Sequence, residues 1–434
     1  MAESRALLRR YYLFRATNSS GFYLPVAVLL LRDKGFGLDF VGLAYAVFAF
    51  GMLVTEVPSG YVGDWLGRRR SLVVGAVLRT TVVLAYPFVQ SGSVYLALHV
   101  VWAAGWAFRS GTQDAWLYEL LQARYDESAY ATIESRGNVA ELVTSAVTAI
   151  LGGLLYSVDP AYPFLANAGL AVLGIPLLYT FPTVERLSDE GSTGSATRTA
   201  APDDAKSPKS SDDRADADDV LTVGEAIEIL RLQVRRPEVR WVVAYAALFN
   251  SLFVVTRVYE QPALTAVGVP VVGFGVLYAG FKLVSAGAAS TVGWLHDRVG
   301  TRGVFVSLIP LYTLAYAGIA VAPVLVVPVL FLNRGLHTIV RPVRNQYLND
   351  RLANVGRATV LSGASMALAL VGGVARIVAG WGAELLGPVG FLPWAGVGLS
   401  LAAGGLWVLV SPVRQEGTSE SADVGEATGA ARVD

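Results

Sequence analysis

Ionisable side chains stand inside stretches of this chain that are otherwise apolar. Arg15, Arg79, Arg109, Arg136, Arg257, Lys282, Arg334 and Arg376 are the positive ones; Glu56, Asp114, Glu119, Glu141 and Glu260 are the negative ones. A bare charge in apolar surroundings is costly, so each must pair with another group, meet a solute, or relay a proton. The set leans positive, which suits a cavity that attracts anionic or polar groups. Arg334, His337 and Arg341 are spaced i, i+3, i+7 and share one helix face. Arg15 has Asn18 and Ser19 close by, and Arg109, Gln113 and Asp114 make another stretch unusually polar. Lysine and histidine are readily tuned by burial, so Lys282 and His337 are candidates for a coupling proton. The competing reading for each group is a link in a structural ion-pair network. For Arg257 and Glu260, three residues apart, a local ion pair is expected; Arg136 can snorkel to a helix end, whereas Glu141 lies one to two turns deeper.

Other chemistry has no residues to work with. Cysteine is absent, the three histidines (His99, His296, His337) are scattered, and no Ser-His-Asp set, phosphate loop or nucleotide loop is present. No enzyme, metal, cofactor or nucleic-acid partner is therefore expected.

The elements that hold these charges are unusual. The chain of 434 residues is 54% hydrophobic and 16% charged, with a mean hydropathy of +0.50, against about 25% charge in soluble domains. The apolar residues come in runs of about 20, the length that crosses hydrocarbon as a helix with its backbone bonds satisfied internally. Twelve spans are expected, at 9–31, 39–62, 71–90, 94–121, 134–156, 162–181, 239–259, 271–294, 303–322, 324–347, 358–386 and 389–411. The reading is an all-α integral membrane protein in two six-helix bundles, 1–185 and 237–413. Between them, 186–220 is rich in Ser, Asp, Ala and Thr and is expected to be a disordered linker. Residues 221–236 follow, with Thr222 and Glu225 as a capping box and a partly apolar face, and read as a helix on the inner membrane surface. The tail, 414–434, is expected to be disordered. Arginines crowd alternate loops (Arg5, Arg9 and Arg10; Arg68 to Arg70; Arg124; Arg298 and Arg302; Arg344, Arg351 and Arg357), which predicts both termini and the linker in the cytoplasm.

A short repeat ties the halves together. Gly60, Asp64, Gly67, Arg68 and Arg69 follow the second span as Gly-x-x-x-Asp-x-x-Gly-Arg-Arg; Gly293, Asp297, Gly300 and Arg302 repeat the spacing after the eighth. Such internal repeats occur in secondary transporters whose halves rock about a midplane site. The pattern resembles the signature loop of the major facilitator superfamily, and the resemblance covers the whole chain. It implies two pseudo-symmetric six-helix bundles and a cytoplasmic gate. In that gate Gly60 would allow two helices to approach, Asp64 would face a helix N-terminus of the other half, and Arg68 or Arg69 would pair with Glu119. The substrate and proton pathway would draw on Arg15, Glu56, Arg79, Arg109, Asp114, Glu141, Lys282, Arg334, His337 and Arg376.

The resemblance further implies a monomeric secondary transporter in the cytoplasmic membrane, in contact with lipid, moving a small organic solute by alternating access. Proton-coupled export leads; uptake or exchange of an organic anion is the alternative, and a membrane-embedded sensor is a third reading. Two departures matter. Drug exporters of this family often place an acid in the first span, where this chain has Arg15. The fifth span keeps Gly152 and Gly153 of a Gly-Pro-x-x-Gly-Gly motif without its Gly-Pro.

Overall fold

The computed structural model describes residues 2–122, 130–181, 237–351, 357–410 and 412. Among them the long elements are all helices: α1 (Ala2–Thr17), α2 (Ala27–Asp33), α3 (Leu38–Leu66), α4 (Arg68–Ala85), α5 (Gly92–Gln122), α6 (Tyr130–Val158), α7 (Tyr162–Tyr179), α8 (Pro237–Ala266), α9 (Val271–Val321), α10 (Val326–Arg351) and α11 (Arg357–Val410). Among the described residues, eight stretches are long and apolar enough to cross a membrane. Two of these, α9 and α11, bend at Gly300 and Gly387 and so make two passes each. Helix α5 and the broken α1–α2 element lie where two more of the expected spans fall. Large apolar side chains such as Val54, Leu314 and Val408 stand mostly exposed on these helices, as surfaces facing hydrocarbon do. The expected linker (186–220), surface helix (221–236) and tail (414–434) lie outside the described residues.

The first expected span, 9–31, is broken. Helix α1 stops at Thr17 and α2 begins at Ala27. Polar side chains at the break turn to the backbone: Thr17 Oγ1 and Asn18 Nδ2 both donate to the Phe14 carbonyl, at 2.7 and 3.3 Å, and the Gly21 amide donates to Ser19 Oγ at 3.1 Å. Side chains of this kind compete with the helical ladder, which apolar periodicity alone does not reveal. The break also needs Gly21, because a Cβ there would run into Thr148 and the Ser145 carbonyl on α6.

The chain forms two compact units. One holds α1–α7 and takes in Leu264–Lys282; the other holds the rest of α8 and α9 with α10 and α11. The first unit thus reaches past the boundary expected at residue 185. Its core joins Leu7, Tyr11 and Phe14 of α1 to Leu72, Trp116, Leu117, Leu120, Ile133 and Leu178. Phe14 and Phe181 meet Trp116 edge-on, with ring centroids 5.9 and 5.0 Å away. In the second unit Tyr245, fully buried, donates to the Phe305 carbonyl at 2.5 Å and so joins α8 to the second half of α9.

The helix junctions carry a shared geometry. Helix α3 ends and α4 begins around Gly67, at φ 82° and ψ 149°; α9 bends at Gly300, at φ 69° and ψ 166°. This region of backbone space is open essentially only to glycine.

Candidate functional site

Close helix packing builds the polar centre of the first unit. A Cβ on Gly75 would come within 3.0 Å of the Gly105 carbonyl, and one on Gly105 within 2.7 Å of Arg79 Cγ. Helices α4 and α5 can therefore cross tightly only because both positions are glycine, and the crossing lays Arg79 along α5. Arg79 and Arg109 then stand over the same indole, Trp106, with their guanidinium carbons 4.8 and 5.2 Å from the ring centre.

Glu141, on α6, is the carboxylate at this centre. Its Oε2 lies 2.9 Å from Arg15 Nη2, and both its oxygens lie 3.0 Å from Arg109 Nη2. The arginine side chains are 6% and 12% exposed and the glutamate 24%, so the three charges meet mostly away from solvent. Arg15 also donates to Asn138 Oδ1, and Arg109 Nε donates to Gln113 Oε1 at 2.9 Å. Arg79 has weaker support: long hydrogen bonds to Asn18, 3.5 Å to Oδ1 and 3.4 Å to its carbonyl. Two guanidinium groups thus share one carboxylate, and a third, Arg79, stands beside Arg109 over the same ring. Arg15 Nε and Arg109 Nη1 are buried and have no hydrogen-bond partner among the described residues. Asp114 and Glu56 are both exposed.

The second unit has its own polar set. Arg334 Nη2 donates to Glu260 Oε2 at 2.6 Å, with side chains 13% and 8% exposed. This corrects the expectation that Glu260 pairs with its neighbour Arg257, whose side chain is exposed. Three residues on, His337 stacks flat on Phe253, with centroids 3.5 Å apart. Asn250, Phe253, Tyr312, His337, Arg341 and Arg344 border a cavity of about 30 Å³, room for a water or two. Arg344 donates to the Asn345 amide oxygen at 3.2 and 2.8 Å. Arg376 lies on α11, where its carbonyl accepts from Tyr259 at 3.1 Å. Lys282 counts with the first unit, and its ammonium sits 5.3 Å from the Tyr278 ring centre.

At the first repeat loop, Arg68 Nε contacts Glu119 Oε1 at 3.3 Å, both side chains being 34% exposed. Arg69 instead reaches the Tyr179 and Phe181 carbonyls, at 3.3 and 3.5 Å, and stacks on Tyr179. Gly60 differs from its expected place: a Cβ there would meet nothing within 4 Å, and the tighter position is Gly63, near Ser71 and Thr112. The Asp64 side chain lies outside the described side chains. In the second copy Gly293, Asp297 and Arg302 are all exposed. At the opposite end of the first unit, Lys34 donates to the Pro87 and Val89 carbonyls at 2.7 Å each, and partial burial lowers its pKa.

Sequence reasoning named the arginines and Glu141 but missed Trp106, Asn138 and Arg344 as parts of these sets. Trp106, Arg109 and Gln113 are spaced i, i+3, i+7, and Asn138 precedes Glu141 by three, so helical spacing from a known charge would have found them.

The description of the Major Facilitator Superfamily matches residues 12–367. The MFS-type transporter YxaM of Bacillus subtilis (strain 168) is 26% identical over 159 residues, 36% of this chain; the match spans 38% of that relative's length. Among solved structures, the nucleoside transporter NupG superposes with a TM-score of 0.70 at 12% identity, covering 94% of this chain and 97% of that one. A bacterial homologue of the iron transporter ferroportin, in its inward-facing state, reaches 0.66 at 13% identity, covering 94% and 98%. At such identities the superpositions speak for the fold.

Proposed function

The chain belongs to the major facilitator superfamily and is a multi-pass secondary transporter, and we propose that the small organic solute it moves carries an anionic group. One observation supports this reading: Arg15 and Arg109 share a single carboxylate, Glu141, with Arg79 beside Arg109 on the same indole, and Arg15 Nε and Arg109 Nη1 are buried without hydrogen-bond partners among the described residues. Buried positive charge in this excess is stabilised by an anion that enters the site. The same arrangement disfavours a cationic solute, which would meet like charge. Both repeat loops act as the cytoplasmic gate of an alternating-access cycle, with the Arg68–Glu119 contact as one of its links. The protein works as a monomer in the cytoplasmic membrane, with both termini inside and a proton as the coupling ion.

Positive charge of this kind serves uptake or exchange of an organic anion as well as its export. Reconstitution into liposomes separates these. The flux of carboxylates, organic phosphates, neutral sugars and organic cations is followed with an imposed pH gradient of either sign. Anion flux that is driven by the gradient and lost in Arg109→Gln supports the reading, and the sign of the effective gradient gives the direction. Flux of cations alone would overturn it.

A further inference from the structure

The second unit holds a basic stripe separate from the arginines of the first, and we propose that its second half binds one small monovalent anion, a halide such as chloride. Arg334, His337, Arg341 and Arg344 are spaced i, i+3, i+7, i+10 and share one face of α10. Arg334 has a carboxylate, Glu260, at 2.6 Å. Arg341 and Arg344 have none within ion-pair distance among the described residues. Arg344 instead donates from Nε and Nη2 to the neutral amide oxygen of Asn345, which offsets no charge. The charges acting on His337 are Arg257, Arg341, Arg334 and Arg344, all of one sign. The neighbouring helices supply no acid here. Residues 301–321 of α9 and 357–383 of α11 contain neither Asp nor Glu. On α8, Glu260 is taken by Arg334, and Glu238 lies twelve residues from Asn250, about 18 Å along the helix. Asp350, near the end of α10, is exposed.

The space beside this stripe selects by size. The cavity of about 30 Å³ bordered by Asn250, Phe253, Tyr312, His337, Arg341 and Arg344 admits one ion close to a water molecule in size. A phosphate, or the body of an organic carboxylate, is too large for it. Two guanidinium groups reach this cavity, and Asn250 adds a neutral donor. Its Nδ2 gives one N–H to the Leu368 carbonyl at 3.2 Å, which leaves the second for the ion. The Tyr312 hydroxyl is committed to Asn333 Oδ1 at 3.0 Å and so frames the cavity. Phe253, with His337 stacked flat on it, supplies an apolar wall. Unpaired positive charge beside apolar surface is costly, and a small anion offsets it. Held between Asn250 and the two arginines, the halide ties α10 to α8.

The test is chlorine NMR on the purified full chain in detergent, where exchange with a protein site broadens the line of free chloride. The wild type should broaden it saturably. Bromide should abolish the broadening, whereas gluconate and inorganic phosphate should leave it. Arg344→Gln and Arg341→Gln should each weaken chloride binding about tenfold or more, as loss of a hydrogen bond to a charged group does. Arg341 is exposed, so its replacement keeps the fold and the test stands even where Arg344→Gln does not fold. Arg109→Gln, in the first unit, should keep the broadening. At equal ionic strength the thermal midpoint of the wild type should rise as chloride replaces gluconate, and that of Arg344→Gln should not. Three results overturn the proposal. One is a chloride line no broader with the protein than without it. Another is displacement by phosphate or gluconate as readily as by bromide. The third is broadening that survives in Arg341→Gln and Arg344→Gln but is lost in Arg109→Gln, which would put the ion in the first unit.

Discussion

Gly67 and Gly300 occupy the same region of backbone space, φ 82° and ψ 149° against φ 69° and ψ 166°, at matching places in two copies of one motif. One sits in the first unit and the other in the second. The repeat is thus conformational as well as sequential: the last glycine of each Gly-x-x-x-Asp-x-x-Gly lets one helix end and the next start without a connecting loop. The Gly67 amide still donates to the Gly63 carbonyl at 3.0 Å, and its own carbonyl already accepts from Ser71 at 3.2 Å.

A side chain at either position should be strained. Gly67→Ala and Gly300→Ala should each lose about 1–3 kcal/mol, read as a lowered thermal midpoint in detergent. Gly60→Ala and Gly293→Ala should be neutral or slightly stabilising, because a Cβ there meets nothing within 4 Å in either helix. Equal losses at all four positions would contradict this account.

The Arg68–Glu119 contact is half open to solvent, so its static contribution should be small. A double-mutant cycle with Arg68→Gln and Glu119→Gln should give a coupling of about 0.2–1 kcal/mol in unfolding. The larger effect should be on turnover, if the contact forms and breaks with the gate.

Asp64→Asn should slow turnover more than it weakens solute binding. Transport rates in liposomes set against equilibrium binding would show it. A loss of binding with turnover intact would remove Asp64 from the gate.

The Arg334–Glu260 pair is nearly closed off, with side chains 13% and 8% exposed. Glu260→Ala should destabilise the fold measurably, because it removes the carboxylate to which the part-buried Arg334 guanidinium donates at 2.6 Å. Replacing both partners together, Glu260→Leu with Arg334→Met, should cost much less. Thermal unfolding of the three variants decides it, and a double variant as damaged as the single would show that the pair contributes attraction beyond mutual neutralisation.

Much of this architecture was legible in the linear sequence for a plain physical reason. Hydrocarbon requires about 20 apolar residues per helix, so the apolar spans and the repeated glycine spacing could be read from composition and spacing. The rare charges inside those spans stood out for the same reason, and Arg15, Arg79, Arg109 and Glu141 were named from it. The break at residues 18–26 was not legible, because it depends on side chains that turn to the Phe14 carbonyl and on a glycine fitted against α6. Pairing was not legible either. Sequence proximity favoured Arg257 for Glu260, whereas the packing of α8 beside α10 delivered Arg334, 74 positions away. That Arg15 and Arg109 should share one glutamate followed from three helices meeting, and Arg79 and Arg109 reach one indole because Gly75 and Gly105 let α4 and α5 touch. Cost to the membrane marked which residues matter; only close packing in three dimensions decided which of them meet.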